Sequence, residues 1–460
     1  MSGERTSGWA RALDRVRWLG PGLVVAATAI GASHLVLAPT AGALFGYGLL
    51  WVILFSHLFK YPAFEFGPRY AVATGTSLLA GYRRMPGPAG WALWVFLAGT
   101  VIQGVTVLAG VLGVAAAVAA VIVPIPGVSI PLWSLLLGLV VAGLLRTGGF
   151  DGLSALSKWM LLILSAMTAV AFVARPPGSG FWTGLLVPDV PTASVLLVGA
   201  LLGWMPTGID VAVWHSMWAL ERRTEWEARA GCTAGAPEAP GSRSPSAPDG
   251  TKPRALAARR PGELHPSRVL AVGLLDMRLG YGLSFLLGTL FVALGAEVLG
   301  PAGVTPQGAQ VAVTIARLYT DVLGPWIFPL FLAAAFFGMF STAYGVLDGF
   351  PRAFAATVGL LRPSTASRRT ALYWGFLLGS LALAAAETAL LPDPVLLVTV
   401  AAVISFLLSS LLYALNHYCV THLIPDPELR PGRGLRLWSL AGIGCMAGAT
   451  LFFLWARLAG

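Results

Sequence analysis

Two hydrophobic segments of this chain are interrupted near their middle. The first covers about residues 18–45 and is interrupted from Gly31 to His34, and the second covers about residues 193–220 and is interrupted from Met205 to Asp210. An interruption inside a lipid bilayer frees backbone N–H and C=O groups, which must then be buried in protein or line a cavity. A matched pair of interrupted segments in the two halves of a membrane protein indicates a transporter's substrate site. We therefore predict a transporter whose site lies where the two breaks meet.

The composition places the whole chain in a membrane. It is 57% hydrophobic and 11% charged, whereas a soluble domain carries about 25% charged residues. A membrane-spanning helix needs roughly 20 mostly apolar residues. We predict an all-α integral membrane protein, a single domain over residues 1–460 that the lipid bilayer surrounds. Its predicted eleven spans lie near 18–45, 47–73, 90–123, 130–147, 154–174, 192–220, 276–300, 324–350, 370–391, 394–421 and 436–458.

The position of the second break predicts the internal symmetry. Five spans precede that break, and an odd number of spans inverts the second copy of a repeat relative to the first. We therefore expect a five-plus-five inverted repeat with helices 1 and 6 broken and an eleventh span appended. This arrangement is typical of transporters built from inverted-topology repeats.

The basic residues predict the orientation. With the N-terminus inside, 26 of the 30 Lys and Arg residues fall in inner loops or at inner span ends, three fall outside, and Lys60 lies within a span. This bias follows the positive-inside rule. We expect a multi-pass protein of the cell's inner (plasma) membrane with a cytoplasmic N-terminus. The net charge of +10 then reflects topology, and we expect no nucleic-acid partner.

The remaining sequence contains a linker and lacks catalytic motifs. Residues 222–267 are rich in Pro, Gly, Ser, Ala and Arg, which predicts a flexible cytoplasmic linker. A connector and a regulatory segment are both compatible with that composition. The three Cys form no C-x-x-C pair, so no zinc site or disulfide framework is indicated. The absence of P-loop, H-E-x-x-H and G-x-S-x-G motifs favours a non-enzyme. We expect no cofactor.

Several motifs resemble those of the NRAMP (natural resistance-associated macrophage protein) family of proton-coupled divalent-metal transporters, which have the LeuT-like fold. The stretch GPGLVVAATAIGASHLVLAPTAGALFGYGLLWVILF resembles that family's first span. Met205-Pro206 and His215-Ser216 are similar to its sixth-span motif. FKYPAFEFGPRYAVATG and STAYGVLDGFPR resemble a divergent bacterial branch. The resemblance implies uptake of a divalent metal ion of the manganese or iron type, coupled to protons.

The substrate site departs from the family pattern. The resemblance places Gly31 where the family has its metal-binding Asp, His34 where it has Asn, and Thr207 where it has His, while Met205 is retained. Asp210 is an additional carboxylate in the sixth-span break. A divalent cation needs anionic or strong neutral ligands. We therefore predict a rearranged metal site of His34, Met205 and Asp210. The alternative is a symporter of the same fold that carries a small non-metal solute.

Each candidate residue also has a structural interpretation. Ser33, His34 and Thr207 contribute to a substrate site or satisfy freed backbone groups. Asp210 is costly within a span and therefore functional by default, or it is the buried partner of an arginine. Met205 is a ligand or ordinary core, and His215 is a proton relay or a structural histidine.

Charged pairs in the second and eighth spans form a second group of candidates. Glu65 with Arg69, and Asp348 with Arg352, are spaced for helical ion pairs. Pro68 and Pro351 lie inside these pairs, which makes regular helix uncertain there. A gate or proton relay is one interpretation, and simple charge neutralisation near the cytoplasmic surface is the other. In the third span, Gln103 and Thr106 are polar in an apolar run and are candidates to face the cavity.

Overall fold

The computed structural model of the chain describes residues 30–148, 150–223, 226 and 266–458, and these residues form helices and no strands. The α-helices, in chain order, are α1 (Ala38–Phe45), α2 (Leu50–Thr74), α3 (Leu78–Arg83), α4 (Trp91–Ile122), α5 (Ile130–Thr147), α6 (Phe150–Ala174), α7 (Phe181–Leu186), α8 (Val195–Trp204), α9 (Val211–Glu221), α10 (Pro266–Leu294), α11 (Val311–Leu323), α12 (Phe328–Leu361), α13 (Arg369–Leu390), α14 (Pro394–Tyr418) and α15 (Arg433–Leu458). The all-α prediction is therefore confirmed for this part of the chain.

Helix length and composition agree with a membrane protein. Among the described residues, 8 helices are long and apolar enough to cross a bilayer. Two shorter apolar helices, Ser33–Phe45 and Thr192–Trp204, lie in the two interrupted segments. The helix α2, which contains Lys60, Glu65 and Arg69, is not among the eight. The count of eleven spans thus stays a prediction, because the segment before Ile30 lies outside the described residues.

The core brings both interrupted segments against long helices. The helix α4 packs against α12 and α14, α8 packs against α14, and α2 packs against both α9 and α10. Small residues permit the closest approaches. A Cβ added at Gly203 in α8 would lie 2.0 Å from the carbonyl oxygen of Ala402 in α14, and one at Gly42 in α1 would lie 2.0 Å from that of Val292 in α10. Such contacts are typical of membrane helices, which associate through tight packing.

The first break differs from its prediction. Ser33–Leu37 form a π-helical turn that continues into α1, and the bend lies at Ile30 and Gly31. The carbonyl of Gly31 accepts hydrogen bonds from the backbone N–H groups of both His34 and Leu35. Ser33 and His34 are therefore helical, and the prediction of an unwound segment from Gly31 to His34 was wrong at its C-terminal end.

The structure also describes the two proline-containing helices and the ends of the predicted linker. The helices α2 and α12 run without interruption through Pro68 and Pro351, because neighbouring contacts in a packed bundle compensate for the missing backbone donor. The linker predicted over residues 222–267 overlaps ordered chain at its ends. Trp226 is buried against Gly273 of α10, and α10 already begins at Pro266. The rest of the linker lies outside the described residues.

Candidate functional site

The sixth-span break separates two half-helices, as the sequence predicts. Residue Trp204 ends α8, Met205 to Asp210 are non-helical, and Val211 begins α9. Asp210 precedes the first residue of α9, where the positive end of the helix dipole stabilises an anion. Its side chain is buried, with 5% of its surface exposed. The break therefore places a buried carboxylate at the N-terminus of a half-helix.

The other side of the same break is occupied by Lys60 from α2. Its Nζ donates to the backbone carbonyls of Leu202 at 3.0 Å, Gly203 at 2.9 Å, Met205 at 3.0 Å and Thr207 at 2.8 Å. These are the last carbonyls of α8 and those of the non-helical segment, which have no partner within the helix. Because carbonyl oxygens only accept hydrogen bonds, these contacts suit a protonated amine, whose three N–H donors the four carbonyls would share.

Thr342 of α12 faces the first break. A Cβ added at Gly31 would lie 2.7 Å from Oγ1 and 2.9 Å from Cγ2 of Thr342. Real Cβ atoms do not approach heavy atoms that closely, and the threonine side chain is branched and stiff. Gly31 therefore lacks a carboxylate, and the space that any side chain at this position would need is already filled by Thr342 of the eighth span.

The two breaks line one shared cavity of about 50 Å³. A single water molecule requires at least about 10–15 Å³ of such volume, so the cavity has room for a few waters or a small hydrated ion. Its lining is Gly31, Ala32, Ser33, Gln103, Val107, Val111, Trp204, Thr207, Gly208, Asp210, Val211, Trp214, Thr342, Val346, Phe350 and Ser405. Asp210 is the one acidic side chain in this lining, so it supplies the negative charge of the cavity.

Polar contacts in the cavity wall connect the third, sixth and tenth spans. Ser405 Oγ accepts a hydrogen bond from Trp204 Nε1 at 2.9 Å and lies 2.5 Å from Gln103 Oε1. The Nε1 of Trp214 is buried and has no hydrogen-bond partner among the described residues. Gln103 faces the cavity as predicted. Thr106, the other third-span candidate, bonds to the carbonyl of Ile102 and is absent from the lining.

His34 lies behind the cavity wall in a buried hydrogen-bonded chain. Its Nδ1 is 3.0 Å from Ser33 Oγ, and its Nε2 is 2.9 Å from Ser284 Oγ in α10. Ser284 Oγ also lies 3.1 Å from Nε2 of His57, whose Nδ1 is 2.8 Å from the carbonyl of Ile53. This chain connects the first span to α10 and α2.

Met205 lies beside His34 rather than in the cavity lining. A Cβ placed on Gly288 of α10 would lie 3.6 Å from Met205 Sδ and 3.8 Å from His34 Cδ2. Both side chains are fully buried there, each with 0% of its surface exposed. Of the three predicted metal ligands, the structure therefore brings only Asp210 to the cavity, with His34 and Met205 adjacent to each other behind it.

His215 lies one and a half turns along α9 from Asp210, against α2. It is buried, and its Nδ1 has no hydrogen-bond partner among the described residues. Its Cβ would be 3.5 Å from a Cβ on Gly67. An unpartnered ring nitrogen leaves this histidine with an open position for a proton or a water.

Two charged clusters lie away from the cavity. Glu65 contacts Arg69 at 2.5 Å, Arg278 of α10 at 3.5 Å and the hydroxyl of Tyr61 at 2.8 Å. The first cluster thus connects the second and seventh spans.

The second cluster connects the sixth and eighth spans. Asp348 contacts Arg352 at 2.7 Å, and Arg352 also pairs with Glu221 at the end of α9. Trp218 Nε1 donates to Asp348 at 3.3 Å. Both predicted helical ion pairs are present, and each has an additional partner on another helix, which simple charge neutralisation within one helix does not require.

Sequence reasoning did not select Lys60, Thr342, Ser284 or His57 as site residues. One signal for Lys60 was available, since a lysine within an apolar span is costly and usually functional. The others are ordinary polar residues whose importance comes from contacts between distant parts of the chain. Among the described residues, no group of three or more His, Cys, Asp and Glu side chains converges as a metal site.

Sequence comparisons give a family match and a number of relatives, including proteins of Pasteurella multocida and Yersinia enterocolitica. The sequence model of the Nramp family, described as natural resistance-associated macrophage protein-like, matches residues 22–456. An uncharacterized protein of Pasteurella multocida (strain Pm70) is 28% identical over 362 residues, covering 76% of this chain and 72% of its own. The divalent metal cation transporter MntH of Yersinia enterocolitica is 30% identical over 190 residues, covering 40% of this chain and 45% of its own. This chain thus spans less than half the length of the second relative.

Two solved structures show the same fold. A mutant of the Eremococcus coleocola manganese transporter aligns with a TM-score of 0.61 at 14% identity, covering 100% of this chain and 90% of that one. Mhp1, a nucleobase-cation-symport-1 family transporter in a closed conformation, aligns with a TM-score of 0.53 at 15% identity, covering 95% and 91%. At this level of identity the similarity concerns the fold alone, which is that of LeuT-like transporters.

Proposed function

We propose that this chain, which belongs to the natural resistance-associated macrophage protein-like (Nramp) family of membrane transporters, carries a divalent metal ion. Family membership makes it a transporter and not an enzyme. The observation that supports a metal ion is Asp210, a buried carboxylate at the cavity between the two breaks. The related MntH protein is itself a divalent metal cation transporter.

The chemistry of the lining favours a cation bound through oxygen atoms and retained water. Ser33, Gln103, Thr207, Thr342 and Ser405 add hydroxyl and amide oxygens to the carboxylate of Asp210. Carboxylate, carbonyl and water ligands suit ions such as Mn²⁺ and Mg²⁺. The cavity of about 50 Å³ accommodates a small ion with a few waters. We propose that His34 and Met205, behind the wall, support this shell, and that the cargo is of the manganese or iron type.

We also propose the transport cycle and the topology that the sequence predicts. The carrier would have eleven spans in a five-plus-five inverted repeat, with a cytoplasmic N-terminus in the plasma membrane. Uptake would be coupled to protons, with His215 as the relay. The buried, unpartnered Nδ1 of His215, one and a half turns from Asp210, supports this role.

A second candidate function follows from the apolar part of the lining. Trp204, Trp214 and Phe350 give the cavity aromatic walls, which suit a small organic solute better than a bare ion. In that case Asp210 would pair with a cationic group of the solute or stabilise the start of α9.

The variant Asp210→Asn separates the two candidates. Removing a buried anionic ligand costs about 3–5 kcal/mol, so the dissociation constant for Mn²⁺ should rise at least about 100-fold. Titration calorimetry of the purified protein with Mn²⁺, Fe²⁺ and Mg²⁺ measures this directly. Asp189→Asn, at an exposed position, is the matched control and should bind as the wild type does. Undiminished binding in Asp210→Asn would exclude this site, and a wild type that binds no divalent ion would favour the organic solute.

A further inference from the structure

The opened sixth span builds a site for a monovalent cation, and a side chain of the protein occupies it. Four backbone carbonyl oxygens, those of Leu202, Gly203, Met205 and Thr207, surround Lys60 Nζ at 2.8–3.0 Å. Lys60 has 0% of its surface exposed, so its ammonium group is removed from bulk solvent. Several carbonyl oxygens converging on one point at the negative end of a helix are the ligand type that alkali cations and ammonium ions use.

We propose that Lys60 is a tethered cation that takes the place of a free monovalent ion at this break. The ammonium group holds together carbonyls that would otherwise repel one another and remain unsatisfied in a low-dielectric interior. In doing so it fixes the path of Met205 to Thr207 and hence the position of Asp210. Lys60 is thus a positioning residue that acts on the cavity through the backbone of the sixth span.

The arrangement of charges at the break supports this assignment. The ammonium group of Lys60, which extends from α2, lies at the C-terminal end of α8, and Asp210 lies at the N-terminal end of α9. Each charge therefore complements the dipole of the half-helix that it adjoins. The two groups also interact electrostatically with each other. A neutral donor reaches the same segment, since Ser56 Oγ donates to the carbonyl of Met205. The carbonyl of Met205 therefore accepts from a charged donor, Lys60, and from an uncharged one, Ser56, whose separate removal can be compared.

The consequence is that the wild-type transporter needs no free Na⁺ or K⁺ to keep the sixth span open, whereas a variant that leaves the place of the ammonium group empty acquires a need for a cation. Truncation to alanine, Lys60→Ala, removes three methylenes and the ammonium group. The removed portion has the shape of n-propylammonium. Added n-propylammonium should therefore refill the space, while n-propanol, of similar shape but uncharged, should not.

The test measures thermal unfolding of purified full-length protein in buffer whose only monovalent cation is N-methylglucamine. Wild type should unfold at the same temperature with or without Na⁺ and K⁺. Lys60→Ala should unfold at least about 5 °C lower and should recover most of that loss with n-propylammonium. Lys60→Met, which keeps the volume without the charge, should gain from neither additive, and Ser56→Ala should show no response to n-propylammonium.

Three results would overturn the proposal: a wild type whose stability depends on Na⁺ or K⁺, a Lys60→Ala variant as stable as wild type without added cations, or equal rescue by n-propanol. The measurement on the wild-type protein can contradict the proposal even if the Lys60→Ala variant accumulates too poorly to be purified. Unfolding is measured without added divalent ion, so failure of the metal assignment would be recognised separately, in the Mn²⁺ titrations. Mn²⁺ binding by rescued Lys60→Ala then reports whether Asp210 has returned to its place.

Discussion

At the residue scale, the first break is defined by a contact between Gly31 and Thr342. The resemblance to metal transporters identifies Gly31 as the position of a missing carboxylate, and the structure adds that Thr342 fills the space beside it. Asp210 on the opposite half-helix then carries the negative charge of the cavity. In this chain the carboxylate of Asp210 is therefore found together with a Thr342 side chain that fills the space beside Gly31.

This contact predicts how a first-span carboxylate can be restored. Gly31→Asp alone should lower the unfolding temperature without improving Mn²⁺ binding, because its Cβ would lie 2.7 Å from Thr342 Oγ1. Combined with Thr342→Ala, the new carboxylate has room, and a second anion beside the ion should tighten binding at least about tenfold.

Calorimetry of both single variants and the double variant gives the comparison. Thr342→Ala alone is the reference for the double variant, and its affinity measures what the Thr342 hydroxyl itself contributes to binding. If Gly31→Asp improves binding as much without the second substitution, the steric interpretation is wrong.

Some of the site could be predicted at this scale and some could not. An Asp in a span and two interrupted segments are visible in the sequence, and Ser33, Thr207 and Asp210 do lie at one cavity. The partners of Lys60 and His34 come from helices far away in the chain. Periodicity and composition do not specify which side chain of one helix meets which atom of another, so these contacts had no sequence signal.

At the element scale, α8 packs against α14 with backbone-to-backbone proximity. A Cβ on Gly203 would lie 2.0 Å from the carbonyl oxygen of Ala402, and the carbonyl of Gly203 is one of those bound by Lys60. Gly203 therefore belongs both to the contact between α8 and α14 and to the group of carbonyls that Lys60 binds. The sequence left it open whether α2 and α12 stay helical at Pro68 and Pro351, and in the packed bundle both helices are continuous there.

The variant Gly203→Ala tests this contact. The added methyl group should force α8 away from α14 and lower the unfolding temperature by several degrees. Gly379→Ala is the matched control, because Gly379 lies inside α13 with nothing within 4 Å of the added Cβ. There alanine should be neutral or stabilising by up to about 1 kcal/mol through helix propensity. Equal behaviour of the two variants would contradict the packing interpretation.

At the scale of the whole molecule, the orientation in the membrane stays a prediction from the basic residues. Cys232 belongs to the predicted cytoplasmic linker and lies outside the described residues, whereas Cys419 is buried and Cys445 is partly buried in α15. A membrane-impermeant maleimide should therefore modify Cys232 in inside-out vesicles but not in intact cells. Cys232→Ser supplies the background. Labelling of Cys232 from outside intact cells would reverse the proposed topology.

The opposite charges of Lys60 and Asp210 also determine how the membrane voltage acts on the protein. Moving one elementary charge through 100 mV changes the free energy by about 2.3 kcal/mol. With both groups ionised, the empty break carries an ammonium and a carboxylate whose charges cancel. A motion that shifts the two together through the electric field therefore involves almost no electrical work. The charge on which the voltage acts at this break is then that of the cargo and of any proton carried with it.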